Sequence, residues 1–438
     1  MDNLSRRKFL GNAAKLALAG VVMPQILPSR VLGRQGVAPS GKINFGLIGN
    51  GLMMQLGGHR QYFSSSPDTQ VLAVCDVNEG HMVNAKNEVD NIARGRNDIG
   101  FKEADMYIDY QELLDRDDID AVCIATPDHW HVPIALYAIQ RGKAVYLEKP
   151  MTLTIEEGRI LADAVKKYKG VLQVGSQQRS DWTFKKAAEL IRNGYIGKVH
   201  TINLEYGDFP PANYGLPEQP VPEGFHYDKW LGPTPWYPYN EERVRGDFGG
   251  GWRCFLDYGA RKEGDWGAHH FDIIQWALGM DDSGPTDFYP AGANGSPYRH
   301  YVYKDGPTVN INAPVKNGQM IQFTGDEGEI LVSRPGWAGQ FEATPGSLAN
   351  MTIKNTDIRL HRSLDHRRDL LSAIKYGSQN ICPAEVGHRS STVCHLASIS
   401  LRLNAHVKWD PVKEKITNNS EAAAMASRPR RAPYFLGA

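Results

Sequence analysis

The sequence predicts an α/β protein whose first half is a doubly wound parallel sheet. Apolar runs recur over residues 43–48, 71–75, 121–125 and 145–147, each short enough for one strand. They lack polar alternation, as strands covered on both faces do. Helix-like segments separate them, and glycine, acid, threonine–proline or lysine follows their carboxyl ends. That is the edge where open α/β sheets place ligands.

The first forty residues stand apart. Ser5-Arg6-Arg7-Lys8-Phe9-Leu10 precedes an apolar, alanine-rich run over 13–23, the pattern of a twin-arginine export signal. The run is too short to remain as a bilayer-spanning helix, and Ala17-Leu18-Ala19 supplies a cleavage motif. A linker rich in Pro, Gly and Ser follows over 24–41. The expected organisation is signal and linker over 1–40, a nucleotide-binding domain over 41–175 and a substrate-binding domain over 176–438. The expected destination is periplasmic or otherwise exported, with no stable membrane span after processing.

A chain of 438 residues accommodates two domains, each with its own core. Lys+Arg and Asp+Glu both number 49, so no basic field favours nucleic acid. The five cysteines show no framework spacing. Cys75 and Cys123 fall within strand runs as core thiols, and a pairing among Cys254, Cys382 and Cys394 stays open.

Gly49-Asn50-Gly51 directly follows the first run. Glycines there permit a tight turn and close approach of the backbone to a pyrophosphate, with the next helix offering its first N–H groups. Met54 stands where a third glycine is usual, and Gly57-Gly58 come late, so an enlarged turn or helix start is expected. The second run ends in Asp76. An acid there accepts hydrogen bonds from an adenosine ribose and repels a 2′-phosphate, which favours NAD over NADP. The third run leads into Thr126-Pro127-Asp128-His129-Trp130-His131 and a helix over 133–140. His129 and His131 lack the acid or cysteine partners of a metal site, so no metal is expected, and their turn should pack against the nicotinamide.

Lys143-Ala144-Val145-Tyr146-Leu147-Glu148-Lys149-Pro150 is the stretch around which the chain is organised. Pro150 cannot donate to a ladder and holds the residue before it out of helical geometry. Lys149 is thereby placed at the carboxyl end of a central strand.

Residues 171–175 read as the last parallel strand. A helix over 182–192 stops at Gly194, and alternating runs over 200–206, 309–313, 320–324 and 330–332 supply further strands, with a turn at Gly325-Asp326-Glu327-Gly328. Between Asp208 and Asp257 lies a long stretch rich in Pro, Gly, Tyr and Trp; loops of that length are usually functional or disordered. Its Tyr239, Arg243, Arg245, Trp252 and Arg253, with Tyr258 just beyond, suit sugar rings and equally a protein interface. Gly264-Asp265-Trp266-Gly267-Ala268-His269-His270-Phe271-Asp272 opens a helix that Gly279 stops. If the helix covers its first turn, Asp265, His269 and Asp272 share one face and His270 lies off it. Glu385-Val386-Gly387-His388-Arg389 opens a long helix to Leu403, read as interdomain packing.

Gly49-Asn50-Gly51, Asp76, Ala125-Thr126-Pro127 with His131, Glu148-Lys149-Pro150 and the Asp265/His269 pair resemble the glucose–fructose oxidoreductase and inositol dehydrogenase family, Gfo/Idh/MocA. The resemblance covers nearly everything after the linker. It implies a Rossmann domain followed by an α/β domain with a large, mostly antiparallel open sheet, and a homo-oligomer formed through that sheet. It implies NAD held by Gly49, Gly51, Asp76, Thr126, Pro127, His131 and Glu148. It also implies a catalytic Lys149, with His269 and Asp265, and a carbohydrate substrate for which Arg179, Trp252, Arg253, Tyr258 and Asp272 are candidate contacts.

The activity expected is oxidation of a sugar or glycoside hydroxyl to a ketosugar, with carbon 3 a candidate position. Lys149 takes or relays the hydroxyl proton, His269 hydrogen-bonds the reacting hydroxyl, and Asp265 orients imidazole and substrate. An export signal ahead of an NAD site implies a cofactor retained through turnover. The alternative is an NAD-dependent glycosidase of the α-N-acetylgalactosaminidase type, in which transient carbon 3 oxidation acidifies the carbon 2 hydrogen and permits elimination. A non-catalytic sugar-binding protein on the same fold would lack Lys149 or His269; both are present.

Overall fold

A computed structural model of the chain describes residues 41–96, 102–334 and 341–437. The export motif and nearly all of its linker lie outside the described residues. Strands β1 (Ile43–Ile48), β2 (Thr69–Cys75), β3 (Asp105–Tyr107), β4 (Ala121–Ile124), β5 (Ala144–Leu147) and β6 (Leu172–Val174) form one sheet in the order β3-β2-β1-β4-β5-β6. Every pairing in it is parallel. β4 and β5 are buried along their whole length, which is why they read as unbroken apolar runs. β3 carries no such run. Its Asp105-Met106-Tyr107 sits at the sheet edge with two of three residues exposed, and nothing apolar marks it.

The late glycines act differently from the enlarged turn expected. The helix after β1 covers only Leu52–Leu56. Gly57 and Gly58 then interrupt it, Gly58 at φ 70°, and a second helix runs over His59–Ser65. Left-handed φ suits glycine because no Cβ meets the following carbonyl. The break turns the chain so that His59, at the start of the second helix, points into the interior.

Among the described residues the second sheet has nine strands: β7 (Val199–Leu204), β8 (Asp287–Tyr289), β9 (Arg299–Val302), β10 (Thr308–Ile311), β11 (Ile321–Gly325), β12 (Gly328–Val332), β13 (Phe341–Thr344), β14 (Val407–Asp410) and β15 (Lys415–Ile416). Their order is β13-β12-β11-β7-β10-β9-β8-β14-β15. β7 and β10 pair in parallel and the other neighbours antiparallel. Gly325 and Gly328 pair across the turn expected between β11 and β12.

Two cores flank the parallel sheet. Phe45, Leu47, Val74 and Tyr146 pack on one face with Phe63 and with Leu370, Leu371 and Ile374 of the helix His366–Tyr376. The chain therefore returns to the nucleotide half long after residue 176. On the other face Ile48, Val145 and Leu147 belong to a core continuous with Ile202, Phe271 and Phe323 of the second domain. The helix Ala384–Leu403 packs on both Ile155–Tyr168 and Ala268–Leu278, one from each half. Arg159 fastens the same seam, donating to both Glu385 and Glu414. The cysteine pairing left open by the sequence does not form: all five cysteines are free and buried. Among the described residues, no helix is long and apolar enough to cross a membrane.

Candidate active site

A cavity of about 660 Å³ opens at the carboxyl ends of the parallel strands, under the segment that follows β7. Gly49, Gly51, Asp76, Thr126 and Pro127 border it on the sheet side. Gly49 adopts φ 79°, and a Cβ there would lie 2.7 Å from the Thr126 nitrogen, so no other residue fits the turn. Asn50 is fully buried and ties the turn to both flanking strands. Its Nδ2 donates to Leu47 O (3.2 Å) and Cys75 O (3.0 Å), and its backbone N–H donates to Asp76 Oδ2 (2.6 Å). Asp76 Oδ1 accepts from the Asn78 N–H (2.8 Å). A Cβ on Gly51 would meet nothing closer than the His81 ring, 3.9 Å away, so the wall beside it stays open. Thr126 Oγ1 is buried without a hydrogen-bond partner. An obligatory glycine, an open glycine wall, a fixed acid and an orphaned hydroxyl fit a dinucleotide.

Lys149 lies at the end of β5 and borders the same cavity. Its ammonium donates to the Asp265 carboxylate (Oδ1, 3.1 Å) and to the Asp265 carbonyl (2.9 Å). Burial alone would raise the Asp265 carboxyl, but the Lys149 ammonium and Arg253 guanidinium overrule it and hold it below the usual carboxylate range. Arg253 Nε stands 3.8 Å from the same oxygen. Asp265 Oδ2 has no partner and is buried.

Behind Lys149 stands a network that sequence reasoning missed. Glu148 Oε1 takes hydrogen bonds from His59 Nε2 (2.9 Å) and Gln177 Nε2 (2.8 Å), while Oε2 accepts the Lys149 N–H (3.1 Å). Burial would raise the Glu148 carboxyl, yet His59 and Lys149 keep it below its ordinary value. Gly175 passes so close that a Cβ would fall 2.6 Å from Oε1. The signal for His59 was the polar residue directly after Gly57-Gly58.

The remaining candidates divide. Trp252 and Arg253 border the cavity, with the guanidinium 4.3 Å from the Trp252 ring centroid. His131 also borders it, but both ring nitrogens face carbonyl oxygens, of Thr126 (3.0 Å) and Pro150 (2.7 Å), so the imidazole braces the turns after β4 and β5. His129 is likewise held by two carbonyls, of Trp230 and Tyr258.

Tyr258, Arg179 and Asp272 do not reach the cavity, and the substrate contact expected of them gives way to packing. Tyr258 is fully buried among Trp230, Phe255 and Tyr227. Arg179 and Asp272, each about 1% exposed, form a bidentate pair with both distances 2.8 Å. Arg243 is buried between the rings of Tyr237 and Phe255, and Arg245 turns to Glu242 and Asp247.

His269 is buried behind the cavity lining, with Nδ1 lacking any partner. Asp265 was expected to orient this imidazole. Instead, residues Glu263–Gly267 form a π-helical turn ahead of the α-helix Ala268–Leu278. A π turn takes more residues than an α turn, so the four-residue spacing no longer stacks the two side chains. Asp265 goes to Lys149.

Burial pushes the His269 imidazole well below its ordinary value, and the cations of Arg334 and Lys149 act in the same sense. Burial also depresses His129 to about 3, and His270 and His395 to about 4. In the unfolded chain each takes a proton below about pH 6.5, whereas the folded chain refuses it. The unfolded state then binds more protons, so stability falls with pH below about 6.5, by up to about 1.4 kcal/mol per unit for each such histidine. Urea midpoints measured between about pH 7 and 5 should drop before the carboxylates titrate. A flat midpoint across that window would show that these imidazoles accept protons in place.

The long stretch after β7 is ordered by its own core of Phe209, Tyr227, Trp230, Leu231, Tyr239, Trp252, Phe255 and Tyr258. It reaches the Asp76 edge of the cleft through backbone bonds, Glu79 N–H to Gly224 O and His226 N–H to Val77 O, both 2.9 Å. The loop is thus a roof over the cleft. Among the described residues, no group of three or more His, Cys, Asp or Glu side chains is positioned to hold a metal ion.

A cleft built to take a dinucleotide, with a lysine–aspartate pair beside it, belongs to an NAD-binding oxidoreductase. A family model for the oxidoreductase NAD-binding Rossmann fold matches residues 43–176, and its companion for the oxidoreductase C-terminal α/β domain matches 209–436. The chain belongs to the Gfo/Idh/MocA family, and its cofactor is NAD. A glycosyl hydrolase family 109 protein of Shewanella baltica is 33% identical over 168 residues, 36% of this chain and 36% of that protein. An α-N-acetylgalactosaminidase of Shewanella oneidensis is 32% identical over 170 residues, again 36% of each. The matched region is thus little more than a third of these relatives' length. Among solved structures, the WlbA dehydrogenase of Bordetella pertussis, in complex with NADH and UDP-GlcNAcA, shares the fold with a TM-score of 0.57 at 16% identity, covering 84% of this chain and 99% of that one. A scyllo-inositol dehydrogenase of Lactobacillus casei does so at 0.54 and 17%, covering 84% and 98%.

Proposed function

We propose that the protein oxidises a carbohydrate hydroxyl, converting a sugar or glycoside to a ketosugar, carbon 3 being the candidate position, with NAD retained in the cleft through turnover. The observation that carries this reading is the Lys149 amine, held by Asp265 in the same cavity as the dinucleotide cradle. When bound, NAD would accept the carbinol hydride and, being retained, would pass it to a second carbonyl compound or an electron carrier before the next turnover. Lys149 Nζ takes or relays the hydroxyl proton, as a general base must from within hydrogen-bond reach. Asp265 holds that amine in position and keeps a negative charge beside it. His269, whose unpaired Nδ1 lies behind the cavity lining, is the second acid–base candidate. Trp252 offers an apolar ring for a sugar face. Retention follows from the Arg6-Arg7 motif, which supports an exported destination where free NAD is scarce.

A second reading is favoured by the family 109 and α-N-acetylgalactosaminidase relatives: the same oxidation is transient and serves glycoside cleavage. Mass spectrometry of products from a panel of glycosides separates the two. A ketosugar is expected. Free sugar without net NADH would establish the glycosidase, and no change in any carbohydrate would overturn both.

A further inference from the structure

The last ten described residues form neither helix nor strand, and residues 433–437 border the cleft. A segment with neither helix nor strand keeps one path only where it is tied down, and this one is tied repeatedly. Arg428 donates to Asp257 O (2.9 Å) and, together with Arg430, to the buried Glu157 carboxylate (3.4 and 3.2 Å). Arg431 donates from Nε to Gly232 O (2.9 Å) and from its two Nη atoms to Asp228 Oδ1 and O (2.5 and 3.0 Å). The Arg431 N–H reaches Pro233 O (2.9 Å), and Gln140 Nε2 holds Gly437 O (2.7 Å). Charge-assisted bonds of this kind are about twice as strong as neutral ones.

The segment so fastened turns apolar residues to the cavity: Pro433, Tyr434, Phe435 and Leu436 all border it. Tyr434 meets the edge of Trp130 at 5.3 Å, and Trp130 meets Tyr110 at 5.6 Å. Tyr110 follows β3, and β3 is the neighbour of β2, whose end carries Asp76. The aromatic wall therefore stands on the ribose side of the cradle, while Lys149 stands beyond β4. Phe435 is 68% exposed at the cavity mouth. An apolar ring fastened there suits a flat heteroaromatic base, which stacks or meets ring edges favourably.

We propose, on the reading that NAD stays bound through turnover, that residues 428–437 are a clasp over its adenosine half. Tyr434 and Phe435 close the aromatic wall over the adenine, and the arginine fastenings slow departure of the dinucleotide.

Release is measured directly. Protein loaded with NADH is mixed with excess NAD⁺, and the loss of tryptophan-to-NADH energy transfer is followed. A chain ending at Arg430 should release NADH at least about tenfold faster than the full chain, since interface losses fall mainly on the off-rate. Arg431→Ala, which keeps the segment but unpins it from Gly232 and Asp228, should shift release in the same direction with an unchanged nucleotide-free unfolding midpoint. This covers a shortened chain that folds poorly. Equal, slow release from full chain and variants would overturn the clasp while the retained-cofactor reading stands. Full-chain exchange within seconds would overturn both.

Discussion

Lys149→Ala should lower turnover on a verified substrate by about two to four orders of magnitude, the usual scale for a general acid–base group, with NAD binding largely kept. The Nζ atom donates to the Asp265 carboxylate and carbonyl rather than to the cradle formed by Gly49, Asn50 and Asp76. Loss of the ammonium also removes a charge that holds the Asp265 carboxyl low, so charge and proton transfer must be separated. Lys149→Arg does so. A guanidinium keeps the positive charge beside Asp265 but does not give up its proton. If Lys149 moves a proton, the arginine variant should be nearly as impaired as the alanine variant. If the lysine serves only as a fixed charge, arginine should restore much of the rate. Both variants are followed by NADH formed in a single turnover, with the total NAD(H) released by the denatured protein as the control for cofactor binding. Near-normal turnover in Lys149→Ala would remove Lys149 from the reaction.

The nucleotide half was legible because its signals are local. Gly49, Asp76 and Thr126 each follow an apolar run directly and Lys149 follows one after Glu148, and a strand end places the residues just beyond it without any knowledge of partners. β3 escaped because an exposed edge strand needs no apolar side chains. The site beyond that escaped for other reasons. Glu148 meets His59 across 89 positions, and Arg179 meets Asp272 across 93; hydrophobic periodicity reports the face of one element and is silent on which atoms meet between elements. The π turn at Glu263–Gly267 broke the one local rule used for Asp265 and His269. Residue type misled as well. Arginine and tyrosine in an aromatic-rich stretch suit a sugar, but Arg243 and Tyr258 are packed into the roof that covers the cleft.

Arg179→Met should destabilise the fold by about 3–5 kcal/mol, because it leaves a buried carboxylate without its cation. Asp272 would keep the Ser390 hydroxyl (2.7 Å) as a side-chain donor, and one neutral hydrogen bond does not replace a bidentate guanidinium. The pair ties the turn Gln177–Ser180 to the helix Ala268–Leu278, on which His269 stands one turn before Asp272. Gln178 of that turn reaches the His269 carbonyl (3.3 Å), and Gln177 reaches Glu148. Loosening it disturbs both flanks of Lys149 at a distance. The double variant Arg179→Met/Asp272→Leu should recover most of the lost stability, since an apolar pair of similar volume removes the unpaired charge. Arg179 also pairs with Asp281 (2.7 Å), which is about a third exposed and so tolerates the loss. Urea denaturation of the single and double variants reads the effect. If Arg179 contacted substrate, the outcome would differ in kind: KM would rise in Arg179→Met with little change in the urea midpoint, and adding Asp272→Leu would rescue nothing.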